Sequence, residues 1–285
     1  MTARRNKKSP RRRRDNRRRK VRNLILTLIF LGLSSALTLF ACCEDEPSRG
    51  FELADSDLLA VTIPDETPEI TKQYTGFFVS FNPTHHVPNY VAWELTAEKA
   101  NGQFTRNNAF RPDPDVYGCP TLNDYKGSGF DRGHMAPAAD MKWSEQAMLD
   151  CHYLTNMCPQ DHGLNGGKWN SLEQMCRTWA LRDSSIVIIA GPVLTDELPR
   201  TIGASGVSVP ERFFKVILAP YANPPRAIGF IMSNSPVNDQ IEALAVSVDQ
   251  VEAITGYDFF SALPDEVEAQ VEAAANYKNW TRRKR

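Results

Sequence analysis

Short apolar stretches separated by turn-forming residues dominate the chain from about residue 74 onward. Each stretch has the length and the content of aromatic and β-branched residues that are typical of a β-strand. The segments that predict strands are 77–81, 90–95, 185–190, 213–219 and 227–232. The first two flank Asn82-Pro83, a turn signal, and are expected to pair as a hairpin. The almost continuously apolar segment 185–190 predicts a central strand that is covered on both faces.

Helical patterns lie between and after these strands. Ser144 is a suitable N-cap for a short helix over 144–150, and the segments 239–253 and 264–275 also look helical. Helices and strands do not alternate strictly, as they would in a parallel sheet built from βαβ units. The pattern therefore predicts an α+β fold in which a central antiparallel sheet is flanked by helices.

An uncharged, mostly apolar segment over residues 23–42 precedes this folded region. Its 20 residues are long enough to cross a hydrocarbon core of about 30 Å as a helix. Residues 1–22 contain 13 Lys and Arg and a single Asp, a bias that holds such a tail in the cytoplasm. We therefore expect a basic cytoplasmic tail, a transmembrane or signal-anchor segment that binds the membrane, and an extracytoplasmic (periplasmic or extracellular) body.

Other interpretations of the N-terminus stay open. Cleavage after the apolar segment would give a secreted form, and the sequence up to Cys42 loosely resembles a lipoprotein signal. The adjacent basic run argues against a buried core helix. That run could also bind nucleic acid, although contact with anionic lipid beside a membrane span is the simpler interpretation.

The net charge of −1 conceals two regions of opposite sign. Of the 33 basic and 34 acidic residues, 13 and one lie in residues 1–22, which leaves a net charge of −13 for residues 43–285. Because nucleic-acid-binding proteins are usually basic, any such binding by the body must depend on local positive groups. The composition also predicts an acidic linker over 43–72, a folded domain over 73–275 and a basic C-terminal tail over 276–285.

Of the six cysteines, four lie in the predicted folded domain, namely Cys119, Cys151, Cys158 and Cys176. In an oxidising compartment they could form disulfides, and the sequence alone does not choose among the three complete pairings. A weak zinc-site pattern is formed by Cys151, His152, Cys158 and His162, but its spacing lacks the paired cysteines of a structural zinc knuckle. Disulfides or inert core thiols are therefore the preferred interpretations.

Polar residues with catalytic potential concentrate between residues 125 and 180. If a regular helix begins near Asn165, then Asn165, Glu173 and Arg177 lie at about 0°, 80° and 120° around its axis, on one broad face. Amide and carboxylate oxygens suit Mg²⁺, and a guanidinium suits a phosphate. Alternatively, Asn165 could be only an N-cap, and Glu173 and Arg177 only a surface ion pair.

A more specific pattern is the run Asp131-Arg132-Gly133-His134-Met135-Ala136-Pro137, followed by Asn156, Pro159-Gln160 and the Asn165 to Glu173 element. With these motifs the segment 77–260 resembles the DNA/RNA non-specific endonuclease family. The resemblance implies the ββα-metal nuclease fold. It also implies a Mg²⁺-dependent endonuclease that hydrolyses phosphodiester bonds of DNA and/or RNA with little sequence specificity and leaves 5′-phosphate ends. Mn²⁺ is a possible substitute for Mg²⁺, and a homodimer is possible.

The resemblance further implies roles for single residues at the metal and the nucleophile. His134 would be the general base that takes a proton from the attacking water, since a neutral imidazole can do so near pH 7. Asn165 would be the direct protein ligand of Mg²⁺. Glu173 would hold water in the shell of the metal.

Arginines complete the implied site. Arg177 and the upstream Arg106 would bind the scissile phosphate, and Arg132 and Asn156 match supporting positions.

Two other function classes stay open at this point. One is a non-catalytic module that binds nucleic acid or another surface on the same fold, and the other is a phosphodiesterase for smaller phosphoesters.

Overall fold

A seven-stranded antiparallel sheet forms the centre of the computed structural model, which describes residues 57–106, 108–195 and 198–281. The described strands are β1 (Val61–Thr62), β2 (Ile70–Gln73), β3 (Phe78–Asn82), β4 (Val87–Thr96), β5 (Asp131–His134), β6 (Met157–Gln160), β7 (Ser185–Val193), β8 (Thr201–Ile202), β9 (Val207–Ser208), β10 (Arg212–Ala219), β11 (Arg226–Ser233), β12 (Ala245–Val246) and β13 (Asp258–Phe259). The order of strands in the large sheet is β12-β11-β10-β7-β4-β3-β2.

Helices pack against this sheet and connect its strands. The described α-helices are α1 (Ala97–Ala100), α2 (Leu122–Tyr125), α3 (Glu145–Asp150), α4 (His162–Leu164), α5 (Asn170–Asp183), α6 (Val248–Thr255), α7 (Asp265–Glu272) and α8 (Tyr277–Thr281). Short 3-10 turns occur at Asp57–Leu59, Ala138–Met141, Leu154–Asn156 and Ile241–Leu244. The expected α+β architecture with a central antiparallel sheet is confirmed.

Strand β7 lies in the middle of the large sheet, and all of its residues are buried. It pairs with β4 on one side and with β10 on the other, which places Ile188 between Trp93 and Ile217. Burying an aliphatic side chain of this size contributes about 1.5–3 kcal/mol. The apolar run over 185–190 therefore reflects a strand whose two faces are both covered, as its composition predicts.

The other patterns agree with the structure to different degrees. β3 and β4 pair as the expected hairpin, and Ser144 caps α3 through a hydrogen bond from the backbone N–H of Ala147. The helix expected over 239–253 begins only at residue 248. Ser247 and Gln250 form a capping box there, and the preceding residues pair with β11 instead.

Strands β5 and β6 form a separate two-stranded ribbon, followed in sequence by α4 and α5. Gly133 makes this ribbon possible, because a Cβ at that position would lie 2.3 Å from Oε1 of Gln160 on the partner strand. Asp161 then caps α4 by accepting hydrogen bonds from the backbone of residues 163 and 164. The order strand, strand, helix is the arrangement expected for a ββα unit.

The folded region extends beyond the predicted domain limits of 73 and 275. Within the predicted linker, β1 pairs with β13 and β2 pairs with β3. At the other end, α8 occupies part of the predicted basic tail and buries Trp280, which is 1% exposed. Both segments are short and rich in polar residues, so their composition resembles that of a linker although their backbones are paired or packed.

The expected membrane segment over 23–42 and the basic tail over 1–22 lie outside the described residues. Among the residues that are described, none of the helices combines the length and the apolar character needed to cross a membrane. The four cysteines of the described residues, Cys119, Cys151, Cys158 and Cys176, are free thiols. Cys151, Cys158 and Cys176 are buried, so of the two preferred interpretations the core thiol agrees with the structure and the disulfide does not.

We predict that Trp280→Ala lowers the free energy of unfolding by about 3–5 kcal/mol, the usual cost of removing a large aromatic side chain from a core. The ring of Trp280 lies 4.8 Å from that of Trp179, and the Arg226 guanidinium lies 4.9 Å from its centre. Denaturant unfolding monitored by circular dichroism measures the loss. Tyr117→Ala is the matched control, because Tyr117 is 83% exposed and its removal should change the stability by less than about 0.5 kcal/mol. Equal stability of the two variants would show that α8 is not part of the folded core.

Candidate active site

His134 lies at the end of β5, where its main chain is held from two directions. Met157 is its partner across the ribbon. The carbonyl oxygen of His134 accepts a hydrogen bond from Nε1 of Trp169 at 3.3 Å, and Trp169 is fully buried. The ribbon and the turn before α5 therefore fix the position from which this imidazole projects.

The His134 side chain is 8% exposed, and its Nε2 atom is buried without a hydrogen-bond partner among the described residues. The rings of Phe110 and His152 contact it, with centroid distances of 5.4 and 5.2 Å. Burial and then the charges of His152, Arg106 and Arg132 lower the pKa of His134 well below its usual value. The imidazole is therefore neutral at pH 7, the state that can accept a proton.

Asn156 joins the chain segments on either side of this histidine. Its Oδ1 accepts a hydrogen bond from the backbone N–H of Ala136 at 2.9 Å. Its Nδ2 donates to the carbonyl oxygens of Ala136 and Cys151, both at 2.9 Å. Both amide hydrogens are thus used by the main chain. The family resemblance implies a supporting position for Asn156, and in the structure its contacts fix the backbone beside His134.

An open cleft of about 540 Å³ runs along β5. Its lining residues include three of the candidates from the sequence, Arg106, Arg132 and Asn165. The guanidinium of Arg132 lies 4.6 Å from the centre of the Phe110 ring, and Nε of Arg106 donates to Oδ1 of Asn108 at 2.8 Å. Both arginines are exposed, so they give the cleft a local positive edge within an acidic body.

Asp131 anchors Asn165 in this cleft. Oδ2 of Asp131 accepts a hydrogen bond from Nδ2 of Asn165 at 2.9 Å and lies 2.9 Å from Nδ1 of His162. Because the amide nitrogen of Asn165 faces Asp131, its Oδ1 accepts no hydrogen bond from a described residue and is available as a metal ligand. Reasoning from the sequence missed Asp131 as a site residue, although it is the first residue of the most specific motif.

The chain between Asn165 and Glu173 is not the regular helix that the wheel angles assume. Asn165–Trp169 forms a wide turn that is interrupted at Gly167, whose φ of −99° and ψ of −111° are not helical. Helix α5 begins at Asn170. Adjacent glycines at 166 and 167 allow this break, since they lack the Cβ that restricts other residues. The expected shared face therefore does not hold for Asn165, whereas Glu173 and Arg177, four residues apart on α5, still share one.

Among the described residues, no ion pair joins Glu173 to Arg177. Nη1 of Arg177 instead donates to Oδ1 of Asp140 at 2.8 Å, and Asp140 also accepts from Nε1 of Trp93 at 3.1 Å. The alternative of a surface ion pair is therefore wrong. Burial raises the pKa of Glu173 to about 7, against the opposing charge of Lys215.

Lys215, on β10, is a residue of this region that sequence reasoning missed. It is fully buried, and its Nζ lies 4.3 Å from the centre of the Trp169 ring and 4.9 Å from that of Trp93. Burial lowers the pKa of Lys215, while the nearby Cys176, Glu173 and Asp140 oppose this shift. The available signal is a lysine within the apolar run 213–219. A cation there stabilises the two neighbouring carboxylates.

Arg106 connects the two parts of the site. Its charge contributes to lowering the pKa of His134, after burial and His152, and it also opposes the burial-driven rise in the pKa of Glu173. Arg106 is thus close enough to both His134 and Glu173 for its charge to act on them. The region as a whole contains a neutral imidazole, amide and carboxylate oxygens and several guanidinium groups.

Comparison with known proteins gives the same picture. Residues 54–266 match the model of a family described as DNA/RNA non-specific endonuclease. The chain is 38% identical over 207 residues to "Nuclease EXOG, mitochondrial" of Danio rerio, which covers 67% of this chain and 60% of that protein. It is 34% identical over 203 residues to "Endonuclease G, mitochondrial" of Homo sapiens, covering 65% of this chain and 67% of that protein.

A solved structure of the EndoG/EndoGI complex contains a chain that is similar in fold. Its TM-score is 0.63 and its sequence identity is 27%, with 68% of this chain and 86% of that chain covered. The chain spans 57–60% of the length of the first curated relatives that it matches.

The expectation of a membrane-anchored, extracytoplasmic body is contradicted by these relatives, which are named mitochondrial nucleases. That expectation depended on the basic and apolar composition of residues 1–42. Arg-rich N-termini that are poor in acidic residues are also typical of mitochondrial transit peptides. Such a composition therefore does not determine one cellular location. Over its folded region the assignment is clear: the chain belongs to the DNA/RNA non-specific endonuclease family.

Proposed function

We propose that this chain is a Mg²⁺-dependent endonuclease that hydrolyses phosphodiester bonds of DNA and/or RNA with little sequence specificity and leaves 5′-phosphate ends. The observation that carries the proposal is the buried, unpartnered Nε2 of His134 beside a cleft edged by Arg106 and Arg132. Family membership supports the reaction class. Groups that contact phosphate and sugar do not distinguish bases, which accounts for weak sequence preference.

In this proposal His134 is the general base. Its lowered pKa keeps the imidazole neutral, so it can take a proton from a water molecule that attacks phosphorus. The hydrogen bond from Trp169 and the contacts of Asn156 hold the backbone on either side of it. A fixed base needs no rearrangement before it reacts, and such positioning is a large part of catalysis.

The donor set beside His134 fits a hard divalent cation. Asn165 offers its free Oδ1 as a direct ligand, and Glu173 would bind through water in the metal shell. Mg²⁺ prefers oxygen ligands and retains several waters, and Mn²⁺ accepts the same ligands. When bound, the cation would neutralise charge on the phosphate and on the leaving oxygen. Asp131 orients Asn165 for this task.

Arginines would bind the phosphate. Arg106 and Arg132 lie at the rim of the cleft, where their planar groups can donate paired hydrogen bonds to phosphate oxygens. Arg177 is held by Asp140, which orients its remaining donors. Since residues 43–285 have a net charge of −13, capture of the substrate must depend on such short-range contacts. A homodimer stays a prediction.

We predict that His134→Ala lowers kcat by about 10²–10⁴-fold, the usual contribution of a general base, while the fold is retained. Nicking of supercoiled plasmid, with EDTA as the metal-free reference, measures the rate. His85→Ala is the matched control, because His85 is a partly buried histidine that hydrogen-bonds to Ser208 away from the cleft. Retention of more than half of the wild-type rate would exclude His134 as the base.

We predict that the protonation of His134 limits activity only below pH 6.5, because burial and the neighbouring positive groups hold its pKa below the usual value. The base works when neutral, so a lowered pKa extends activity to lower pH. The measurement is the pH dependence of kcat/KM in the Glu173→Gln variant, since Glu173 has a pKa of about 7 and would otherwise titrate in the same range. An acidic limb centred above pH 6.5 in that variant would contradict the assignment.

We predict that Asn165→Ala raises the Mg²⁺ concentration needed for half-maximal rate by at least about tenfold, because a direct ligand is lost. Gln174→Ala is the control, since it removes an exposed amide from the same region of the chain. A Mg²⁺ titration of plasmid nicking compares the two variants. Identical Mg²⁺ requirements would remove Asn165 from the metal site.

A further inference from the structure

A cluster of nitrogen and sulfur donors lies directly behind the proposed base. One potential ligand atom from each of His134, Cys151 and His152 lies within 4.8 Å of the other two. All three side chains are buried. The weak zinc pattern in the sequence shares Cys151 and His152 with this cluster but adds Cys158 and His162 in place of His134. His162 pairs with the cleft residue Asp131, and Cys158 belongs to β6, so that predicted set does not gather.

The hydrogen bonds of His152 leave one of its nitrogens free. Its Nδ1 lies 2.8 Å from the carbonyl oxygen of Met148. Because a carbonyl only accepts, Nδ1 must carry the proton and Nε2 must hold the lone pair. Nε2 of His152 is buried and has no hydrogen-bond partner among the described residues. Metal-binding histidines are typically oriented in this way, by donating the other ring N–H to a carbonyl.

The remaining two donors are similarly placed. Nε2 of His134 is likewise buried and without a described partner. The Cys151 Sγ lies 3.4 Å from Nδ1 of His152, and its thiol donates to the Met148 carbonyl at 3.2 Å. The side chains of two histidines, each with one unpartnered nitrogen, and of one cysteine thus come together in the interior of the described fold. Unsatisfied buried polar atoms of this kind require an explanation.

We propose that His134, Cys151 and His152 form a binding site for a soft divalent metal such as Zn²⁺, and that its occupancy inhibits the nuclease by engaging the base. The inhibitory part of this inference depends on the proposed function, whereas the binding part does not. A Zn²⁺ ion bound by His134 Nε2 takes the lone pair that would otherwise accept the proton of the attacking water.

The ligand types select the metal. Imidazole nitrogen and thiolate sulfur suit Zn²⁺, whereas Mg²⁺ requires oxygen, so the two ions occupy different sites a short distance apart. Zn²⁺ binds nitrogen at about 2.0–2.1 Å and sulfur at about 2.3 Å. The three ligand atoms, which lie within 4.8 Å of one another, would therefore have to move closer together by roughly 1 Å. A water molecule would fill the fourth position of the tetrahedron.

Charge opposes binding but does not prevent it. Burial raises the pKa of the Cys151 thiol to about 12, and Arg106 and Arg111 lie close enough to influence it. Binding replaces the thiol proton by Zn²⁺ and releases that proton to solvent, so the three-ligand site gains one net positive charge. The Asp150 and Asp140 carboxylates, which also act on Cys151, partly balance that charge.

Cobalt substitution tests the binding. Full-length reduced protein titrated with Co²⁺ should develop the near-ultraviolet charge-transfer band of a sulfur–cobalt bond, and Zn²⁺ should abolish it. Cys151→Ser should lose this band. Cys119→Ser is the matched control, because the Cys119 sulfur accepts a hydrogen bond from the backbone N–H of Asp113, as a serine oxygen can. Absence of the band in wild type, or its survival in Cys151→Ser, would overturn the proposal.

Plasmid nicking at saturating Mg²⁺ over a Zn²⁺ series tests the inhibition, with each variant compared with its own rate in the absence of Zn²⁺. Cys151→Ser and His152→Phe should need at least about tenfold more Zn²⁺ for half-inhibition than the wild type, since each lacks one ligand. Equal sensitivity of wild type and both variants would mean that Zn²⁺ acts at Asn165 or Glu173, and would overturn the inhibitory site. A chain that binds Co²⁺ through Cys151 but never cleaves would instead refute the proposed function and leave the metal site supported.

Discussion

The three hydrogen bonds of the Asn156 side chain are the constraint on which the site depends. They join the segment after His134 to the end of α3, at Cys151, through a single buried amide. A buried amide that satisfies its partners in one geometry only is costly to disrupt, because each lost bond leaves an unpaired group out of water. The base, its neighbouring imidazole and the thiol are therefore held in one arrangement that side-chain packing alone would not specify.

Around this fixed point the protein buries several charged groups, one of which, Nζ of Lys215, has no hydrogen-bond partner among the described residues. Asp140 is bonded by Arg177 and by the Trp93 indole, and Lys215 places its cation against two indole rings. Buried ionic groups of this kind contribute little net stability, since removing them from water costs about as much as their attraction returns. What they provide is orientation. The cluster holds the Arg177 guanidinium through Asp140 before any substrate arrives, so less reorganisation is required in the proposed reaction.

The sequence predicts those features of the fold that depend on burial. The central strand over 185–190 and the hairpin of β3 and β4 follow from apolar patterns that the sheet then covers. Prediction from the sequence fails where backbone geometry, or packing between segments that are distant in sequence, determines the structure. The glycines at 166 and 167 break the expected helix. To predict that a lysine is buried between Trp93 and Trp169, one would have to know how three segments that are distant in sequence pack together. Sequence motifs indicated His134 and Asn165 as site residues, but only the structure shows that Asp131 orients Asn165.

The same property that makes His134 suitable as a base also exposes it to soft metals. A neutral imidazole with an unpaired nitrogen accepts a proton and a Zn²⁺ ion through the same lone pair. Apolar or oxygen-bearing neighbours would limit this conflict, because such groups add little to Zn²⁺ affinity. Phe110 is an apolar neighbour on one side of His134, whereas Cys151 and His152 bring sulfur and nitrogen close on another. Both of these side chains also contact the carbonyl oxygen of Met148, which fixes their positions at the end of α3. The hydrogen bonds that hold the helix end therefore also hold two soft donors next to the proposed base, and the inferred metal site depends on that arrangement.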